Sequence, residues 1–429
     1  MRHRRAKCAF CDSADVVELI DFGLVALAGA FLKPSGFSEE KKYPLRLIFC
    51  KGCYAVQVAD HVPPSELFHS NYFYFSSSIG TLRAHFQSYA EILVERFLSH
   101  PESSVLEFGC NDGILLKPLA DKGVKTLIGV DPSKNVVASI DDPRITTVNE
   151  FFTETVADDI VSRFGKVDMV LASNVYAHIS DIQGTTRAIK SVLKDDGVFA
   201  FEVHYLGKVI EDLQYDMIYH EHLYYYSMLS AMKHFDRCGM MIFDIKLIPI
   251  HGGSVRFYVC NKGSKFSHLV SDAAKQLEAE ELAKGFDRFE TFLLFSKRVV
   301  AHRDELVSLL NKLRSSGATI AGYGASGRAN TIIQWCGLTS NQLSFMIDDA
   351  PAKLGYFTPG SHIEIFSSSV LREKDAPTHL LIFAWAFFEE IWRRNEFYVA
   401  AGGKMIVPLP TLRLVDRSTE ITSSLRAST

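Results

Sequence analysis

The sequence predicts an α/β protein in three parts: a small N-terminal metal-stapled module, a central Rossmann-like domain on a doubly wound parallel sheet, and a C-terminal Rossmann-like α/β domain. Three observations carry this. Two C-x-x-C pairs, "CAFC" and "CKGC", lie near the start of the chain. Residues 104–133, "SVLEFGCNDGILLKPLADKGVKTLIGVDPS", read as apolar strand, glycine turn, helix and second strand ending in an acid, a βαβ unit. A second βα unit opens at 318–338, "ATIAGYGASGRANTIIQWCGL".

The 429 residues leave room for two to four domains at about 100–200 residues each. Hydrophobic residues at 47% and charged residues at 22% describe an ordinary folded chain. Lys+Arg 46 against Asp+Glu 50 gives a net charge of -4, so no nucleic acid partner is expected. "MRHRRAKCAFC" lacks an apolar segment behind its basic residues and does not read as a secretory signal. The run "LLIFAWAFF" is far shorter than the roughly 20 residues of a membrane helix. A cytoplasmic location without membrane partners is expected.

Cys8, Cys11, Cys50 and Cys53 form two knuckles with 38 residues between the inner members. Each knuckle aims two thiolates at one point, and two knuckles complete a tetrahedral structural zinc site with no open position for catalysis. Residues 1–70 are assigned to this zinc-binding module.

Residues 71–98 pass from an aromatic and serine cluster into an amphipathic helix. Strands are expected at 167–175 and 197–206, with a helix at 181–194 between them, so the central domain is placed at 71–240. The C-terminal domain is placed at 241–429, with a helical linker at about 271–316.

In "LEFGCNDG", Glu107, Gly109 and Gly113 follow a strand directly, and the glycines let a ligand approach the backbone. Asp131 ends the next strand, placed for ribose hydroxyls. A carboxylate beside the loop suits a cationic ligand, which favours S-adenosylmethionine over NAD. Asn111, Asp112 and Asn174 complete the expected cofactor set. In the second loop, "GYGASG", the helix start and Arg328 suit a phosphate, with Tyr323, Ser326 and Asn330 as neighbours. Phosphate binding, dinucleotide binding and plain packing all remain open there.

The stretch "YHEHLYYYS" (219–227) crowds two histidines, a glutamate and four tyrosines together. Neither strand nor helix geometry makes a local three-ligand metal set from it. Acid-base chemistry fits better, since His titrates near neutral pH and Tyr donates to a developing oxyanion. An interdomain wall is the competing reading.

The four-cysteine module, "LEFGCNDG", "YDMIYHEHLYYYS", "IHGGSVRFYV" and "GYGASGRANTIIQWCGL…KLGYFTPGSHI" occur in the order found in the three-domain nucleotide-sugar C-methyltransferase family, which this chain resembles from Cys8 to about position 410. The resemblance implies a structural zinc, a central class I S-adenosylmethionine-dependent methyltransferase domain, and a C-terminal domain that contributes to nucleotide-sugar binding. Its Tyr-x-Glu-His cluster falls on Tyr219, Glu221 and His222, with His222 as base and Glu221 orienting it. An active-site histidine matches His178 and a tyrosine matches Tyr74, with Tyr72 near in register. His251 and Arg256 of "HGGSVR" resemble the segment that approaches the sugar nucleotide.

The expected reaction is C-methylation, at C3, of a dTDP- or GDP-linked 4-keto-deoxysugar by a monomeric enzyme, through an enolate formed by a positioned base. The chain departs from its relatives in reading "EVHYLG" and "YHEH", which adds His204 and His220 to the expected site. Two other readings stand beside it: an O- or N-methyltransferase, and a non-catalytic nucleotide-sugar-binding module.

Overall fold

A computed structural model describes residues 3–67, 75–78 and 80–418. The N-terminal module is a four-stranded sheet. Strands Val16–Ala26, Lys42–Cys50 and Val56–Val58 pair antiparallel in sequence, and the fourth strand is Tyr224–Tyr225, from far along the chain. The zinc knuckles sit at one end of this sheet. Cys8 Sγ lies 3.4 Å from Cys53 Sγ and Cys11 Sγ 3.6 Å from Cys50 Sγ. All four sulfurs fall within 4.8 Å of one another. A tetrahedron with Zn–S of about 2.3 Å has edges of roughly 3.8 Å, so the set fits zinc as it stands. Buried Gln57 donates to Cys8 Sγ at 3.1 Å and accepts from the Ala9 N–H, holding one knuckle in place.

The central sheet has seven strands, in the order Met240–Ile248, Ser254–Asn261, Leu193–His204, Val167–Ser173, Ser104–Phe108, Thr126–Val130 and Ile145–Val148. All run parallel except Ser254–Asn261, which is antiparallel to both neighbours. The central strands are continuous apolar runs because helices cover both faces. Gly80–Phe97 and Leu116–Asp121 pack on one face; Glu154–Phe164, Ile182–Val192 and Met228–Arg237 pack on the other. Asp181 caps Ile182–Val192 by accepting from the Gly184 N–H, and Ser227 and Ser230 form a reciprocal capping box for Met228–Arg237.

One expectation is corrected here. The boundary at 240/241 cuts through the fold, since the hairpin 240–261 completes the central sheet. The helical stretch 271–316 is two helices, Asp272–Ala283 and Phe289–Ser315, separated by a turn in which Gly285 has φ +74°.

The C-terminal sheet runs Ile365–Phe366, Met346–Ile347, Ile320–Tyr323, His379–Ile382, Lys404–Val407 and Arg413–Val415, the last antiparallel. Its order reverses between Ile320–Tyr323 and His379–Ile382, where open α/β sheets form their binding crevice. Among the described residues, no helix is long and apolar enough to cross a membrane.

Zinc is expected to hold the N-terminal sheet together. Cys50→Ser should drop bound zinc from near one ion per chain towards none and lower the thermal midpoint by several degrees, read by metal analysis and calorimetry. Unchanged zinc content would defeat the four-cysteine assignment.

Candidate active site

The first half of the site lies at the carboxyl ends of Ser104–Phe108, Thr126–Val130 and Val167–Ser173. Gly109 has φ +66°, and a Cβ there would come 2.7 Å from Val175, so the turn tolerates only glycine. Asn111 (φ +50°) donates its N–H to Asp131 Oδ2 at 3.0 Å, and Asp131 Oδ1 accepts from the Ser133 N–H at 2.9 Å. Gly113 (φ +76°) completes the loop. The segment 75–78 closes over it, with Ser76 N–H donating to Asn111 Oδ1 and Ser77 N–H to Asp112 Oδ2.

Three buried acceptors here have no hydrogen-bond partner among the described residues: Glu107 Oε2, Asp112 Oδ1 and Asn174 Oδ1. Burial, then the charges of Asp131 and Asp112, push the Glu107 carboxyl well up. A cleft that leaves acceptors and carboxylates unsatisfied calls for a donor-rich, cationic ligand. The ammonium and ribose hydroxyls of S-adenosylmethionine fit it. All seven residues expected around the cofactor share this end of the sheet, and Asn174 joins its two halves by donating its N–H to the Glu202 carbonyl.

The second half is a cluster of histidines. His222 lies in a turn after the short helix Tyr215–Met217, its N–H bonded to the Tyr219 carbonyl. Its ring sits 5.0 Å from His178 and 5.3 Å from His204, and His204 sits 5.8 Å from His251. His222 Nδ1 meets the Met217 carbonyl at 2.8 Å, and only a protonated nitrogen can bond a carbonyl. The lone pair therefore belongs to Nε2, which accepts from the Tyr219 hydroxyl at 2.8 Å. Burial lowers all four imidazoles, His178 to about 4. They are neutral near pH 7.

Glu221 does not orient His222, contrary to the expectation, because Met217 and Tyr219 already occupy both ring nitrogens. Its carboxyl turns towards the N-terminal module, with Oε1 3.3 Å from where a Cβ on Gly29 would lie. Burial raises it to about 7.

The C-terminal domain reaches this cleft through Arg328. Its Nε donates to the fully buried Asp216 at 2.8 Å, and Trp385 Nε1 donates to the same oxygen at 2.9 Å. Arg328 Nη1 reaches the His251 carbonyl at 3.4 Å, while Nη2 is buried without a partner among the described residues. A Cβ on Gly327 would lie 3.6 Å from Ala28 and 3.8 Å from Tyr219, so all three domains meet at one point.

Other expected residues lie elsewhere. His220 turns away from the cleft, bonding the Pro44 carbonyl at 3.0 Å beside Tyr43. Arg256 is not a substrate contact: Nε and Nη2 pair with Glu202, Nη1 reaches Tyr258, and the guanidinium stacks on Tyr89 at 3.2 Å. Tyr323 packs in the far core of the C-terminal domain, Ser326 caps Gly327–Trp335, and Asn330 donates to the Ala28 carbonyl. Tyr74 and Tyr72 fall outside the described residues. Residues the sequence reading missed are Asp216, Trp385, Glu202 on the strand Leu193–His204, and His85, whose signal was a polar side chain on an amphipathic helix.

The family models divide the chain as the site does. A zinc binding domain matches residues 8–68, a methyltransferase domain 82–239, and the C-methyltransferase C-terminal domain 249–410. The C-methyltransferase NovU of Streptomyces niveus is 29% identical over 95% of this chain and 96% of its own length. The chain is thus similar to a C-methyltransferase along nearly its whole length. Together these matches support an S-adenosylmethionine-dependent C-methyltransferase with a zinc-binding N-terminal domain. A ubiquinone biosynthesis O-methyltransferase of Bradyrhizobium diazoefficiens is 34% identical over 104 residues, 37% of its length. Among solved structures, the magnesium protoporphyrin IX methyltransferase of Synechocystis, with bound SAM, overlaps 42% of this chain and 79% of its own at 15% identity and a TM-score of 0.32.

The buried histidines make stability fall in acid. His178 stays neutral in the fold where the unfolded chain, at 6.5, takes up a proton, so its contribution is complete above pH 6.5 and drains as pH falls towards 4. Glu221 and Glu281, raised to about 7 by burial, pull the other way, which makes a difference measurement the clean one. The stability advantage of wild type over His178→Asn should shrink by ~3 kcal/mol between pH 7 and 4 in urea titrations. A constant difference would remove His178 from this role.

Proposed function

We propose that this enzyme methylates the carbon beside the ketone of a 4-keto-deoxysugar carried on a nucleotide, with C3 as the methylated position. The hydrogen-bonded pair Tyr219–His222 carries the reading. A C–H next to a carbonyl is weakly acidic and needs a placed base and a donor for the enolate oxygen. Because His222 Nδ1 is committed to Met217, its Nε2 is a fixed acceptor behind the tyrosine hydroxyl. Tyr219 takes the substrate proton as its own passes to His222, so both groups act as one base. The bound cofactor supplies an electrophilic methyl group.

The sugar lies among His178, His204 and His251, and the unpartnered Nη2 of Arg328 suits the diphosphate of a dTDP or GDP carrier. NovU, similar along nearly the whole chain, supports transfer to carbon. None of the eight cysteines forms a disulfide, consistent with the cytoplasm as the place of reaction.

Mass-spectrometric screening of S-adenosylmethionine with a panel of 4-keto nucleotide sugars tests the substrate class. In deuterated water the carbon beside the ketone should exchange its hydrogen in the presence of S-adenosylhomocysteine; methyl transfer without any exchange, and a product methylated on oxygen, would sink the enolate route. Tyr219→Phe and His222→Ala should each lower kcat by roughly 100-fold or more while cofactor affinity stays within a few fold. Turnover retained in His222→Ala would exclude it as the base.

A further inference from the structure

His178 and His222 face each other from separate segments of the chain, so their 5.0 Å approach depends on what joins 176–186 to 222–234. Hydrogen bonds make that join. The Leu223 N–H donates to the Ala177 carbonyl at 2.9 Å, one residue from each histidine. The Tyr224 hydroxyl donates to the Ser180 carbonyl at 3.2 Å and the Tyr226 hydroxyl to the Tyr176 carbonyl at 3.3 Å. The carbonyls two residues to either side of His178 are thus held by the segment that follows His222. His234 Nε2 adds to the join, meeting Thr186 Oγ1 at 2.8 Å and the Tyr176 hydroxyl at 3.2 Å.

Tyr224, Tyr226 and His234 all pack on one residue of the zinc module. Phe10 lies inside the first knuckle, between Cys8 and Cys11, and is buried. Its ring stands 5.1 Å from Tyr224, 5.4 Å from Tyr226 and 4.7 Å from His234, tilted against each. The chain around the knuckle also holds the His178 side of the join. Arg5 Nη2 donates to the Ser180 carbonyl at 2.9 Å, and Gln183 Nε2 donates to the Ala9 carbonyl at 2.9 Å. A ring in a close-packed interior has no free space to yield into, so where its backbone is fixed the rings against it are fixed too. The backbone of Phe10 is fixed by its flanking cysteines, whose sulfurs belong to the zinc cluster. Filling of the core alone would account for the burial of Phe10, but not for these rings all carrying their polar atoms to 176–186.

We propose that Phe10 is a positioning residue for the reaction: through this one ring the zinc knuckle sets the placement of His178 against His222. Its consequence for turnover rests on the enolate reading above, in which His222 stands behind the Tyr219 hydroxyl and the sugar lies beside His178. A displacement of about 1 Å among such groups is enough to cost on the order of 100-fold in rate. The metal then acts on the chemistry without touching it, by way of the knuckle and the tyrosines.

The test compares zinc-loaded, full-length Phe10→Leu with Phe49→Leu. Phe49 is equally buried and stands beside Cys50 as Phe10 stands beside Cys11, but its ring packs on Phe292. Both variants should keep their zinc and lose stability. In carbon–proton NMR spectra of histidine-labelled protein holding S-adenosylhomocysteine, the ring signals of His178 and His222 are assigned from His178→Asn and His222→Ala. They should move in Phe10→Leu and stay in Phe49→Leu. On a 4-keto nucleotide sugar, Phe10→Leu should lower kcat roughly 10-fold with KM within a few fold, while Phe49→Leu leaves both near wild type. Ring signals that stay in place in Phe10→Leu, or that move equally in Phe49→Leu, overturn the proposal. If Phe10→Leu fails to fold or loses its metal, Tyr226→Phe decides, since it removes a single hydroxyl: displaced His178 signals support the coupling and unmoved ones overturn it. Absence of wild-type turnover on every 4-keto sugar would defeat the enolate reading instead, and the ring signals then decide the positioning by themselves.

Discussion

The buried carboxylate of Asp216 is the contact on which the assembly of the site depends. It sits in the central chain, three residues before Tyr219, and accepts from Arg328 and Trp385 of the C-terminal domain through one oxygen. Losing Arg328 leaves a charge in a place without water, at a cost of about 3–5 kcal/mol. The interaction therefore fixes where the C-terminal domain docks and, with it, how Arg328 faces the histidines. The cleft is defined by docking as much as by any one domain.

The charge pattern inside the cleft follows a simple division. Carboxylates and bare acceptors line the cofactor end, and neutral imidazoles with one guanidinium line the other. Such a division favours a cationic ligand at one end of the space and an anionic one at the other. Burial keeps the imidazoles neutral, which preserves their lone pairs for proton transfer.

Much of this was legible in the sequence where chemistry and local geometry coincide. The cysteine knuckles, "LEFGCNDG" and the strand ending at Asp131 each announce a turn that a ligand needs, and the structure places them as expected. The reading failed where a side chain's direction is set from afar. Nothing local tells His220, which faces Pro44, from His222, which faces the cleft, since a turn rather than a strand or helix separates them. Arg256 reads as a substrate arginine until Glu202 appears across the sheet. The hairpin 240–261 was assigned past a domain boundary because antiparallel pairing onto a parallel sheet leaves no mark in a single strand's composition.

The strand Tyr224–Tyr225 completes the sheet of the zinc module while the turn carrying Tyr219 and His222 immediately precedes it. The module is thus no detachable cassette. Transplanting residues 3–67 from a relative would carry only three of the four strands and would ask a foreign edge to accept this chain's tyrosines. Shuffling of domains among such proteins is constrained to exchange the module together with residues 219–226, so that the metal site and the Tyr219–His222 turn are inherited as one unit.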